Sequence, residues 1–188
     1  MRVCVYCGSS PGEDPRFVAE ATAFGAALAH AGIGLVYGGG RVGLMGAVAD
    51  GALATGGEVV GIIPRFLQER EIAHPDPRVD LRVVDSMHER KALMAELSDA
   101  FVALPGGFGT FEEFFEIVTW VQLGLADAPC ILANVGGFYD GALAQIDGAH
   151  RAGFISRGNR AIVEVSATLS EVVEHLAARA TGERAPRA

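Results

Sequence analysis

A chain of 188 residues, half of them hydrophobic and 20% charged, is long enough for one compact domain with a substantial core and too short for two ordinary domains and a linker. Its 25 glycines and modest charge content suit a tightly packed α/β protein and exclude a disordered or fibrous one. The net charge of −8 argues against a general nucleic-acid or membrane-surface binder, which needs a positive field, but leaves room for a small anion held by a few local donors.

Short apolar runs near 2–7, 33–37, 58–63, 80–84, 99–104, 130–133 and 162–165 alternate with longer helical patterns. This alternation predicts an α/β fold over 1–180, a doubly wound parallel sheet of about seven strands with helices on both faces. Asp14-Pro15, Ser86-x-x-Glu89 and Thr110-x-x-Glu113 carry the capping chemistry of helix starts. The stretch from Pro64 to Asp80, with Pro64, Pro75 and Pro77, reads as an irregular excursion over the carboxyl edge of the sheet. The tail from Thr181 to Ala188 is expected to be loosely ordered. No apolar run reaches the roughly 18–20 residues of a membrane span. The segment Met1 to Tyr6 lacks the layout of a signal peptide, so a cytoplasmic protein is expected.

Cys4 and Cys7 have C-x-x-C spacing, but they fall in or at the end of an apolar strand rather than at a helix start, where a thiolate would be stabilised. Buried hydrophobic cysteines are the expectation, with neither redox chemistry nor a zinc site.

Two strands run into glycine clusters, Gly38-Gly39-Gly40-Arg41-Val42-Gly43 and Pro105-Gly106-Gly107-Phe108-Gly109-Thr110, and both precede helices. Loops without side chains let backbone N–H groups approach an oxyanion, and a helix N-terminus adds partial positive charge, so each is a candidate phosphate cradle. Ser9 and Ser10 after the first strand can add hydroxyl donors. Gly38-x-Gly40-x-x-Gly43 also fits a dinucleotide fingerprint. That reading fails because the next strand ends in Pro64-Arg65 and its Glu58 lies at the wrong end to hold ribose hydroxyls.

The segments Met87-His88-Glu89-Arg90-Lys91 and Pro105-Gly106-Gly107-Phe108-Gly109-Thr110-Phe111-Glu112-Glu113 resemble the M-H-x-R-K and P-G-G-x-G-T-x-x-E signatures of the Lonely Guy family. The likeness extends to Cys7-Gly8-Ser9-Ser10, Gly43-Leu44-Met45-Gly46, Arg70-Glu71-Ile72, Thr119-Trp120 and Gly153-Phe154-Ile155. It implies a homodimer of Rossmann-like subunits that cleaves cytokinin riboside 5′-monophosphates, and often AMP, to free base and ribose 5-phosphate. By motif match Arg90 and Glu113 are the catalytic pair, and Glu71, Lys91, Gly107, Gly109, Thr110 and Thr119 line the nucleotide site. Ser9, Gly39, Gly40, Gly106 and Phe108 join them from the glycine loops, and Met87, His88 and Glu112 from the two signatures. Relatives are often labelled lysine decarboxylases, but a pyridoxal-phosphate enzyme needs a Schiff-base lysine. Lys91, beside Arg90 in a helical segment, is the only lysine in the chain, so that cofactor is not expected, and without a visible cluster of ligands neither is a metal.

Cleavage of an N-glycosidic bond builds positive charge on the ribose, which a carboxylate near the anomeric carbon stabilises while it orients water. Glu113 is the candidate, against the alternative that it merely completes a capping box with Thr110. Arg90 can donate from its planar fork to the departing base or the phosphate, and His88 fits a structural or base-contacting role. The helix from Phe111 to Val121 is apolar on nearly every face, which predicts complete burial and a dimer interface. The competing reading is a non-catalytic nucleotide or molybdenum-cofactor carrier, which has no need of a carboxylate beside Arg90.

Overall fold

The computed structural model describes residues 1–68 and 72–181. Seven strands form one parallel sheet: β1 (Arg2–Tyr6), β2 (Gly34–Tyr37), β3 (Val59–Pro64), β4 (Asp80–Val84), β5 (Ala100–Ala103), β6 (Cys130–Ala133) and β7 (Val163–Ser166). Their order across the sheet is β4-β3-β2-β1-β5-β6-β7. The chain therefore winds outward in one direction from β1 and in the other from β5. The crevice between those two strands is the switch point, where ligands of doubly wound sheets bind. All seven predicted strands are present, with ends displaced by about one residue.

The core lies on both faces of the sheet because the central strands are buried on both sides. In β1, Val3 and Val5 pack with the helices α1 (Pro15–His30), α2 (Gly43–Ala54) and α7 (Leu169–Ala180), whereas Cys4 and Tyr6 pack with α3 (Met87–Glu96), α4 (Phe108–Gln122) and α5 (Asp140–Arg151). Cys7 belongs to the first face and Cys4 to the second, so the two thiols point to opposite sides of the sheet. The strand period of two thus settles the C-x-x-C spacing as packing.

Asp14 caps α1 and Ser86 caps α3, each accepting from a backbone N–H, as expected from the sequence. The third expected start is corrected. Helix α4 begins at Phe108 with Gly107 as its N-cap and no side-chain cap, so Thr110 is its third residue and Glu113 its sixth. No capping box exists there, because the glycine loop has already turned into helix two residues earlier.

The expected burial of α4 on all sides is also corrected. Within the chain only Thr110, Phe114 and Ile117 are buried, and an apolar strip including Phe115 and Leu123 is exposed. The Pro64–Asp80 excursion contains one short 3-10 turn at Arg65–Leu67. Its later part is stitched to the first glycine loop by Arg41 N–H to Ile72 O at 2.8 Å and His74 N–H to Gly39 O at 3.1 Å. The expectation for the tail concerns residues beyond Thr181, which lie outside the described residues. None of the described helices is long and apolar enough to cross a membrane.

Candidate functional site

Three loops meet at the switch point. Gly8 N–H donates to Pro105 O at 3.1 Å and Leu44 N–H donates to Gly8 O at 2.9 Å, which ties the loops after β1, β2 and β5 together. Glycine is required where these loops cross. An added Cβ at Gly106 would lie 2.1 Å from Thr110 Oγ1, and one at Gly43, whose φ is +60°, would lie 2.4 Å from the Ser9 carbonyl carbon. Gly107 and Gly109 differ: a Cβ at either would meet nothing within 4 Å. Their lack of side chains leaves an open surface of backbone at the N-terminus of α4. The two helices that follow the glycine loops, α2 and α4, have Val42 and Gly107 as N-caps with no side-chain hydrogen bond, so, apart from the Leu44 N–H taken by Gly8 O, their first turns keep backbone donors and positive dipole ends for an anion.

Arg90 sits beside this edge with only 4% of its surface exposed. Its Nε donates to Ile62 O at 3.1 Å and its Nη2 to Gly38 O at 2.7 Å. Carbonyls at the ends of β2 and β3 thus replace water around the guanidinium and fix its plane. Glu113, half-buried on α4, faces β1. Burial above all pushes the Cys4 thiol and the Tyr6 phenol well up, and the Glu113 charge adds to the rise in both. An arginine and a carboxylate, each held by a separate helix, therefore flank the glycine loops at the carboxyl edge.

The remaining candidates divide by place. Gly39 and Gly40 are buried in the first loop, Ser9 is exposed beside it, and Phe108 at the head of α4 is 95% exposed. Met87 is half-buried one turn before Arg90, and its sulfur lies 3.9 Å from Arg90 Nη1, while His88 is exposed. Lys91 turns away from Arg90 toward α4, where its Nζ donates to Glu112 and, at 3.0 Å, to Glu116. Thr119 stands about 14 Å along the helix axis from Thr110, exposed, with its hydroxyl donating to Phe115 O at 2.7 Å. One chain does not bring Thr119 to the glycine loops. Glu71 lies outside the described residues.

Sequence reasoning missed two supports of the site. Tyr139, buried at the start of α5, donates its hydroxyl to Leu104 O at 2.6 Å, directly before the second glycine loop; nothing local in the sequence signals this contact across 35 residues. Glu116 was legible, since carboxylates at i and i+4 share a helix face and call for a cation between them.

Fold and site together define a doubly wound α/β protein whose carboxyl edge carries two glycine loops, each leading into a helix without a side-chain cap. Residues 45–176 match the family described as "Possible lysine decarboxylase". The chain is 50% identical over 164 residues to the cytokinin riboside 5′-monophosphate phosphoribohydrolase of Rhodococcoides fascians, covering 87% of this chain and 82% of that one. It is 47% identical over 172 residues to the cytokinin riboside 5′-monophosphate phosphoribohydrolase LOG of Oryza sativa subsp. japonica, covering 92% and 71%. The chain belongs to the Lonely Guy family. Among solved structures, the molybdenum cofactor binding protein of Rippkaea orientalis superposes with a TM-score of 0.66 at 21% identity, covering 95% of both chains, a likeness that shows the shared fold alone.

The lysine bears on the family's description as a possible lysine decarboxylase. A decarboxylase of the pyridoxal-phosphate type needs an open amine, and the only one on a side chain, Lys91, is engaged by Glu112 and Glu116. The residues do not fit that cofactor.

Proposed function

We propose that this chain hydrolyses the N-glycosidic bond of cytokinin riboside 5′-monophosphates, and of AMP, to free base and ribose 5-phosphate. The observation that carries the reading is the pairing of an open helix start, with bare backbone at Gly107 and Gly109, with a desolvated Arg90 and the Glu113 carboxylate at one sheet edge. The identity to enzymes named for this reaction supports it.

In this reading the 5′-phosphate rests on the loop from Gly106 to Thr110, and its binding energy aligns the ribose. As the bond from the anomeric carbon to the base nitrogen breaks, its electron pair leaves with the base and positive charge grows on the sugar. The Glu113 carboxylate stabilises that charge and accepts a proton from the water whose oxygen bonds to the anomeric carbon. Arg90, fixed by two carbonyls, needs no reorganisation to donate a hydrogen bond to the charge developing on the base or to the phosphate. The proton taken up by Glu113 is finally returned to the base, which closes the balance.

The working form in this reading is a homodimer packed through the exposed apolar strip of α4. Phe115 of α4 is 39% exposed, and Leu123 and Leu125 just past its end are 63% and 70% exposed, apolar surface that water disfavours and a second copy covers. Thr119 lies on that strip and reaches a nucleotide only across such an interface. Incubation with AMP and with N6-isopentenyl AMP, followed by chromatography, tests the function. Release of free base is expected; tight binding of either nucleotide without base release overturns it in favour of a carrier.

A further inference from the structure

Lys91 is the only lysine of the chain, and its side chain is 10% exposed between two carboxylates of the neighbouring helix. The next residue back, Arg90, and the next residue on from Glu112, Glu113, are the two groups to which the proposed function gives the chemistry. We propose that Lys91 is a positioning residue, an ion-pair clasp from α3 to Glu112 and Glu116 of α4, which fixes the relative placement of Arg90 and Glu113 and does not touch the substrate. This inference rests on the proposed function for the word positioning, but the clasp itself does not.

The geometry separates the two roles. Neighbouring positions on a helix point about 100° apart, so Arg90 reaches the carbonyls at the ends of β2 and β3 while Lys91 reaches sideways to α4. The same rule sends Glu113 toward β1 and Glu112 toward Lys91. An ammonium has three donors, and two of them are committed here. The cluster of one ammonium and two carboxylates is net negative, which repels a phosphate dianion at close range. Burial favours the neutral amine, but the hydrogen bonds it donates to Glu112 and Glu116, with the charges of those carboxylates, outweigh it and raise the lysine above its usual value. The ammonium is therefore permanently charged at neutral pH.

What the clasp controls is the spacing of α3 and α4 beside the glycine loop. A displacement of about 1 Å at a reacting centre costs on the order of a hundredfold in rate, and the two proposed catalytic groups sit on different helices.

A single lysine makes the test direct. Protein labelled with ε-15N lysine gives one side-chain signal. In the clasp, Glu112→Gln and Glu116→Gln each shift that signal, whereas saturating AMP added to the Glu113→Gln variant leaves it in place. Kinetically, Lys91→Met lowers kcat about 10- to 100-fold with KM for the nucleotide little changed, and Lys91→Arg, which keeps the charge, recovers most of the loss. A signal that moves with AMP but ignores Glu112→Gln and Glu116→Gln overturns the proposal, as does a Lys91→Met enzyme whose KM rises while kcat holds. If Lys91→Met fails to fold, the signal and the Lys91→Arg kinetics still decide. Wild-type protein without turnover overturns the proposed function, and the two glutamine variants then judge the clasp alone.

Discussion

Arg90 Nη2 donates to the Gly38 carbonyl at 2.7 Å, and a Cβ added to Gly38 would lie 2.2 Å from that same nitrogen. Glycine at 38 is thus what allows a charged side chain to approach the end of β2. Gly38→Ala forces the guanidinium out of its seat, with an overpacking cost of about 1–3 kcal/mol. Turnover falls with it, by on the order of a hundredfold. In an Arg90→Ala background the same glycine change should cost no further turnover, because the group it displaces is already gone. Additive losses in the double variant reject the idea that Gly38 acts through Arg90.

That relationship also marks the limit of what the sequence shows. The strands were readable because apolar runs of four to six residues alternate with helical spacings, and the caps at Asp14 and Ser86 because their chemistry is local. The start of α4 was misread because Thr110 and Glu113 carry the same residue types as a capping box, whereas the glycines before them let the helix begin at Phe108. The burial of α4 was overestimated because an apolar pattern records what water disfavours, not whether the same chain or a second copy covers it. Gly38 beneath Arg90 and Tyr139 on Leu104 are contacts across 52 and 35 residues, set by sheet order. A single sequence does not display them.

Gly109 offers the opposite case to Gly38. A Cβ there meets nothing within 4 Å, and the position lies inside α4, where alanine is favoured over glycine by about 0.5–1 kcal/mol. Gly109→Ala should therefore hold or raise the melting temperature while it weakens the binding of AMP about tenfold or more, because the methyl group occupies the surface offered to the phosphate. Affinity for adenosine, which has no phosphate, should change far less. Unchanged AMP affinity, measured by calorimetry, rejects this loop as the phosphate cradle.

Asp76 gives a pH signature. Its hydrogen bonds from the Arg78 side chain, and then from the Arg78 backbone, hold the carboxyl at about 2 instead of the usual 3.8. The native pKa is depressed, so the contribution to stability is present above about pH 3.8 and is lost as pH falls toward 2. Arg78 also donates to Leu53 O at 3.0 Å, which ties the excursion to α2. Melting temperatures of wild type and Asp76→Asn should differ at pH 6 and converge as pH drops through that window. A gap that persists undiminished at the acid end contradicts the assignment.

The apolar strip of α4 predicts assembly. Leu123→Asp places a charge on a residue that is 63% exposed in the single chain, so the fold should tolerate it while a dimer packed on that face dissociates. Light scattering is expected to show a folded monomer with little turnover, since Thr119 then has no second site to reach. A variant that stays dimeric, or a monomer that stays fully active, removes this face from the account.

Glu112 and Glu113 are chemically identical neighbours with different surroundings, which makes them the most decisive pair. Glu112 is bound to Lys91 with its side chain 54% exposed, while the charge of Glu113 is felt at Tyr6 in β1. Glu113 is the sixth residue of α4, too far along to cap its first turn, so a large loss on replacing it is not explained by helix capping. Glu113→Gln keeps the shape and removes the charge that would meet the oxocarbenium-like sugar, and turnover should fall by about two to four orders of magnitude. Glu112→Gln leaves Glu116 to hold Lys91, so its loss should stay within about tenfold. Rates on AMP and melting temperatures for both variants, measured side by side, give the answer. A Glu113→Gln enzyme that turns over near the wild-type rate means that the carboxylate is structural and that another group orients the water.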